Sequence, residues 1–148
     1  MAITPGAPAP PVDGITNEGA RALVFFKVTC STTHLATPAI ERLARAYPGL
    51  VFGVGQDDRA ALDTFAETFG LSMPLVSDPA PYLASDAYGI ASAPTAVAIG
   101  ADGGVLDVAE SWDREAWNRL SAALAAAAGT PAAVVSEPDD GLPDFKPG

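Results

Sequence analysis

Cys30 carries most of the chemistry this sequence offers, and it is the only cysteine in the chain. The residues around it suit a reactive thiol. Ahead of it, Ala22-Leu-Val-Phe-Phe-Lys27 is a short run of strand formers without alternation, the pattern of a strand covered on both faces. Behind it, from Ser31 to Tyr47, the apolar positions Leu35, Ala39, Leu43 and Ala46 recur at helical spacing. A thiol at such a strand-to-helix turn faces unsatisfied backbone N–H groups and the positive end of the helix dipole. Both favour the thiolate, the form that reacts. Lys27 is close in sequence and adds a favourable charge, while Thr33, one turn along, brings a hydroxyl within reach of the sulfur. His34 lies on the same helix and is expected to face solvent.

The elements that position these groups follow in order. Pro48-Gly49 stops the first helix, and Leu50-Val-Phe-Gly-Val54 reads as the second strand. Asp58 is placed to cap a helix with Leu62, Phe65, Ala66 and Phe69 on one face, ended by Gly70. Pro74-Leu-Val76 suits a short strand, and Pro79–Tyr88 a short helix ending near Gly89. Thr95–Ile99 and Val105–Ala109 read as consecutive strands of a hairpin joined through Gly100-Ala-Asp-Gly-Gly104. Asp113 caps a last helix that buries Trp117, Leu120 and Leu124 and ends at Gly129. Strands alternating with helices, then a hairpin and a helix, predict an α/β fold. The expected architecture is a three-layer α/β/α sandwich on a mixed sheet with a parallel core and an antiparallel C-terminal hairpin. The prolines of residues 1–14 predict an extended N-terminal segment, residues 15–129 the domain, and residues 130–148 a Pro-rich acidic tail without a fold of its own.

Composition sets the outer limits. The chain has 148 residues, 49% of them hydrophobic, enough for one domain with a real core. Its formal net charge of −10 argues against nucleic acid and against an anionic membrane surface. No stretch approaches the roughly 20 apolar residues of a membrane span. The first residues lack the basic and apolar regions of a secretory signal, so a cytoplasmic location is expected, or a periplasmic one if a signal has been removed. One cysteine and one histidine exclude an internal disulfide and fall short of the usual zinc ligand set, so no metal and no cofactor are expected. Trp112 and Trp117 read as packing residues, and Asp57 and Asp58 as loop and cap rather than a catalytic carboxylate pair.

Taken together, Phe25-Phe-Lys-Val-Thr-Cys30-Ser-Thr-Thr33, the helix proline Pro38, Ala93-Pro94-Thr95 before Ala96-Val-Ala-Ile99, and Met73-Pro-Leu-Val-Ser-Asp78 resemble the thioredoxin-like superfamily. The resemblance is to its TlpA/ResA and redoxin type and covers about residues 20–128. It implies a thioredoxin-like fold, a cis peptide before Pro94, and a substrate groove built from Lys27, Thr29, Ala93 and Pro94 beside the catalytic pair Cys30 and Thr33.

The departure from that pattern decides the expected chemistry. Thr33 stands where the resemblance calls for a second cysteine, so the thiol that would release a mixed disulfide from within the chain is missing. The expectation is a monothiol oxidoreductase in which Cys30 attacks a disulfide, or a peroxide bond in a thiol peroxidase-like reaction. The peroxide reading is weakened by Lys27, where peroxiredoxins carry a threonine or serine, and by Leu23, where they carry proline. Its partners would be a thiol or disulfide substrate and an external reductant, either a small thiol or a partner protein. Two alternatives stand beside it: a redox-inactive thioredoxin-like protein-binding module, and a homodimer linked through Cys30.

Overall fold

A computed structural model describes residues 2–148. Its central sheet has five strands in the order β3-β2-β1-β4-β5. These are β1 (Arg21–Phe26), β2 (Val51–Gly55), β3 (Leu75–Ser77), β4 (Thr95–Ile99) and β5 (Val105–Glu110). β1 runs parallel to β2, and β2 to β3, while β4 pairs antiparallel with both β1 and β5. The mixed sheet with a parallel core and a closing antiparallel hairpin is therefore present.

Central strand β1 is buried along its whole length, and alternate side chains serve different layers. Ala22 and Val24 join α1 (Ser31–Ala46) and α4 (Arg114–Ala128) in one cluster, with Ile40, Leu43, Trp117, Leu120 and Leu124. Leu23 and Phe25 face the other way, against Val12 of the N-terminal segment, Ile15 and Tyr88. Phe26, at the end of β1, packs with Leu62 and Phe65 of α2 (Arg59–Phe69). Gly55 makes that contact feasible, because a Cβ there would collide with the side chain of Leu62.

Local signals set most boundaries. Asp58 and Asp113 each accept a hydrogen bond from a first-turn amide, at 2.8 Å from Ala61 and 3.2 Å from Ala116. Gly70 and Gly129 close α2 and α4 in left-handed conformation. Pro38 lies inside α1, where its missing N–H leaves the His34 carbonyl without its usual donor. The Thr37 hydroxyl donates to that carbonyl at 2.8 Å and so replaces the lost bond.

The third helix is shorter than its sequence suggests: α3 covers Leu83–Ala87, not Pro79–Tyr88. Tyr82 has φ of +59°, which stops helical geometry from extending backwards. Buried Asp78 caps α3 from outside, accepting from Ala84 N at 3.0 Å and Ser85 N at 2.9 Å.

The Pro-rich tail adds β7 (Phe145–Lys146), which pairs antiparallel with β6 (Trp112–Asp113). Its approach run is fixed by buried polar groups. Val135 N donates to Asn118 Oδ1 at 2.8 Å, and Ala133 N donates to the Tyr47 hydroxyl at 2.9 Å. Arg114, buried itself, donates to Ser136 Oγ, to the Leu142 carbonyl at 2.6 Å and to the carboxylate of Asp144. Among the described residues no helix is long and apolar enough to cross a membrane.

Candidate functional site

The first turn of α1 begins at Cys30, which is its N-cap, with extended backbone angles of φ −82° and ψ 122°. A good N-cap side chain would accept from the amides two and three residues on. Here that side chain is a thiol, which accepts no cap hydrogen bond in the neutral form, but the amides of Thr32 and Thr33 are near enough to favour its ionised form. The neutral thiol in turn donates to the Ala93 carbonyl at 3.3 Å. Partial burial pushes the Cys30 thiol up, but the Thr33 amide and hydroxyl, followed by the Thr32 amide, outweigh it and leave the thiol below its ordinary value.

Thr33 is fully buried, and in the thiol form its hydroxyl has no hydrogen-bond partner. An unmade bond of this kind costs about 1–3 kcal/mol. Ionisation removes the thiol proton and turns sulfur into an acceptor for that hydroxyl. The penalty is thus borne by the neutral state, which is a second reason for the thiolate to be favoured.

The loop that presents Cys30 is tied from the neighbouring strand's end. Val28 N donates to Asp57 Oδ2 at 2.9 Å, and the Ser77 hydroxyl donates to the Asp57 carbonyl. Asp57 is therefore a positioning residue that sequence spacing did not single out, because its partner is 29 residues away. On the other side of the sulfur, the Ala93–Pro94 peptide is cis and Pro94 is buried. Thr95 anchors that loop by donating to the Ser92 carbonyl at 2.8 Å.

Of the residues expected to cooperate, Cys30, Thr33, Ala93 and Pro94 converge. Thr29 is exposed immediately before Cys30. The Lys27 ammonium sits over the ring of Tyr82, 5.9 Å from the centroid. His34 is exposed, its ring bonded to the Val28 carbonyl and packed beside Phe65 and Phe69 with centroids 5.5 and 5.0 Å away. Trp112 and Trp117 are fully buried, their indole N–H groups donating to the carbonyls of Pro143 and Ser111. Among the described residues no group of three or more His, Cys, Asp or Glu side chains is placed to hold a metal ion.

Sequence reasoning also missed Thr32, Ser111 and Lys146, which join the C-terminal residues to the start of α1 and to the end of β5. Thr32 Oγ1 donates to the Pro147 carbonyl at 2.6 Å, and Lys146 Nζ to Ser31 Oγ at 3.1 Å. No motif marks the tail residues, and the contacts join positions 115 apart.

No family model matches the chain, and no curated protein matches it in sequence. Its fold is nonetheless shared with solved structures. A Chlorobium tepidum protein provisionally named thiol:disulfide interchange protein DsbE aligns with TM-score 0.73 and 20% identity, covering 86% of this chain and 100% of that one. A secreted Mycobacterium tuberculosis disulfide oxidoreductase homologous to E. coli DsbE gives 0.60 and 21%, over 73% and 81%. The thioredoxin domain of a Bacteroides vulgatus thiol-disulfide oxidoreductase gives 0.65 and 16%, over 75% and 91%. The chain has the thioredoxin-like fold.

Proposed function

We propose that this thioredoxin-like chain is a monothiol thiol–disulfide oxidoreductase with Cys30 as its nucleophile. The observation that carries the reading is the Cys30 sulfur itself. It stands at a helix N-cap, two backbone amides are near it, its ionisation is favoured, and it lies against the loop of Ala93 and cis Pro94. Similarity in fold to thiol–disulfide oxidoreductases supports the same class of chemistry.

The reaction follows from one thiolate and no second thiol. Cys30 Sγ attacks one sulfur of a substrate disulfide; the new S–S bond forms as the old one breaks, and the departing thiolate takes a proton from solvent. Thr33 contributes a hydrogen bond to the attacking sulfur but cannot resolve the mixed disulfide. An external thiol does so, its thiolate attacking the mixed disulfide and returning Cys30 as thiolate. A peroxide is the other electrophile of this class. Attack on its oxygen gives Cys30 sulfenic acid and an alcohol or water, and two external thiols reduce the acid back.

The test is the pH dependence of Cys30 alkylation, combined with turnover of a small disulfide in the presence of an external thiol. A titration midpoint below that of a free cysteine, together with loss of turnover in Cys30→Ser, supports the reading. A midpoint at or above the free-thiol value of about 8.5 overturns it. That outcome favours the second reading, a redox-inactive binding module, to which Thr33 in the place of a second thiol already points.

A further inference from the structure

The groove beside Cys30 is filled by the chain's own residues 145–148. The β6–β7 ribbon pairs Lys146 with Trp112 and Phe145 with Asp113, which delivers Pro147 and Gly148 to the start of α1. There the Pro147 carbonyl accepts from Thr32 at 2.6 Å, and Lys146 donates to Ser31 at 3.1 Å. Gly148 N donates to Ser111 Oγ at 3.1 Å. Gly148 lies so close to Ala93 that a Cβ on it would collide with the Ala93 carbonyl oxygen. That oxygen is the one the Cys30 thiol donates to. Residues 147–148 therefore occupy groups that flank the sulfur on both sides, Thr32 and Ala93.

The segment is held unevenly along its length. From Ala133 to Asp144 it is stapled to α1 and α4 through Tyr47, Arg42, Asn118 and Arg114, with Val135 and Ser136 fully buried. From Phe145 onward only a two-residue ribbon and single hydrogen bonds remain, and Phe145, Pro147 and Gly148 are exposed. A firmly anchored base and a lightly held tip can open without unfolding the domain. Because the tip is tethered, it competes with substrate at high effective concentration.

We propose that residues 145–148 are a self-docking strap that closes the Cys30 groove and must lift before a disulfide or peptide can reach the sulfur. The substrate side of this statement rests on the oxidoreductase reading; the occupancy itself does not, and it is tested by access to the thiol. The experiment compares a bulky maleimide with iodoacetamide at Cys30 in the full chain. Gly148→Leu puts a side chain where none fits, and Lys146→Ala removes the bond to Ser31. The ratio of bulky to small reagent rates is expected to rise about tenfold in Gly148→Leu and a few-fold in Lys146→Ala, with the thermal midpoint preserved. A ratio within twofold of the parent in both variants overturns the strap. Should Gly148→Leu lose its fold, Lys146→Ala alone decides. A raised ratio with no disulfide turnover keeps the strap and sinks the oxidoreductase reading; turnover with an unchanged ratio does the reverse.

Discussion

Replacing Thr33 by valine keeps the shape of a fully buried side chain and removes one hydroxyl. Two effects of opposite sign follow. In the thiol form that hydroxyl has no partner, so its removal relieves a penalty of about 1–3 kcal/mol. In the thiolate form it donates to sulfur, and a hydrogen bond to a charged group is worth about 1.5–3 kcal/mol. Cys30 is partly exposed and keeps the Thr32 and Thr33 amides, so the lower end applies. Both effects disfavour ionisation, so their lower ends, about 1 and about 1.5 kcal/mol, add to about 2.5 kcal/mol, a factor of about 70 in the thiolate population. The assay is alkylation with iodoacetamide across pH, alongside urea unfolding at a pH well below the measured titration midpoint. Below that midpoint the variant should react about 70-fold more slowly, and at high pH the two rates should converge. In the unfolding experiment, where the thiol is protonated, the variant should be as stable as the parent or more so by about 1 kcal/mol. Equal alkylation rates at low pH would refute the claim that Thr33 serves the thiolate. A clear loss of stability below the midpoint would refute the claim that its hydroxyl is unpaired in the neutral state.

Other changes probe the same site and its surroundings. Thr33→Cys restores a second thiol one turn from Cys30, and mild oxidation should then give an intramolecular disulfide, read as loss of two titratable thiols per chain. Arg114→Ala strips donors from buried Ser136 and the Leu142 carbonyl and should lower stability by about 2 kcal/mol in urea unfolding. Asp140 is held well below the usual carboxylate range, first by the Ser136 hydroxyl and then by the Leu142 amide. A lowered folded value stabilises above the unfolded pKa of about 3.9 and is lost as pH falls below it. The tail should therefore stay docked at pH 5 and loosen only in stronger acid, followed through the emission of Trp112, whose indole bonds the Pro143 carbonyl.

The order of elements was legible because each is announced within a few residues. Asp58 and Asp113 cap, Gly70 and Gly129 terminate, and the Gly-rich turn joins β4 to β5. The Cys30 junction was legible for the same reason, since a strand, a thiol and a helix follow one another directly. The contact of the Lys27 ammonium with Tyr82 was not legible, because adjacency to Cys30 in sequence says nothing of direction. The tail was legible least of all. It is held by Arg42 to Asp140, Arg114 to Asp144 and Tyr47 to Ala133, pairs without period or motif that only the folded chain brings together. Asp57 was legible as a loop residue but its hold on the Cys30 loop was not, because that bond is made only through space.

The docking of the tail also fixes an order of events during synthesis. Every group that the strap touches, from Ser31 and Thr32 through Ala93 to Ser111, precedes residue 129 in the chain. At about 5–20 residues per second, the ribosome takes roughly 1–4 s to add residues 129–148 to the residues before them. For that interval each nascent chain carries the Cys30 thiol with nothing yet synthesised that can cover it. A chain whose residues 145–148 have yet to dock is thus more open to oxidants and thiol reagents at Cys30 than one in which they lie against Thr32 and Ala93.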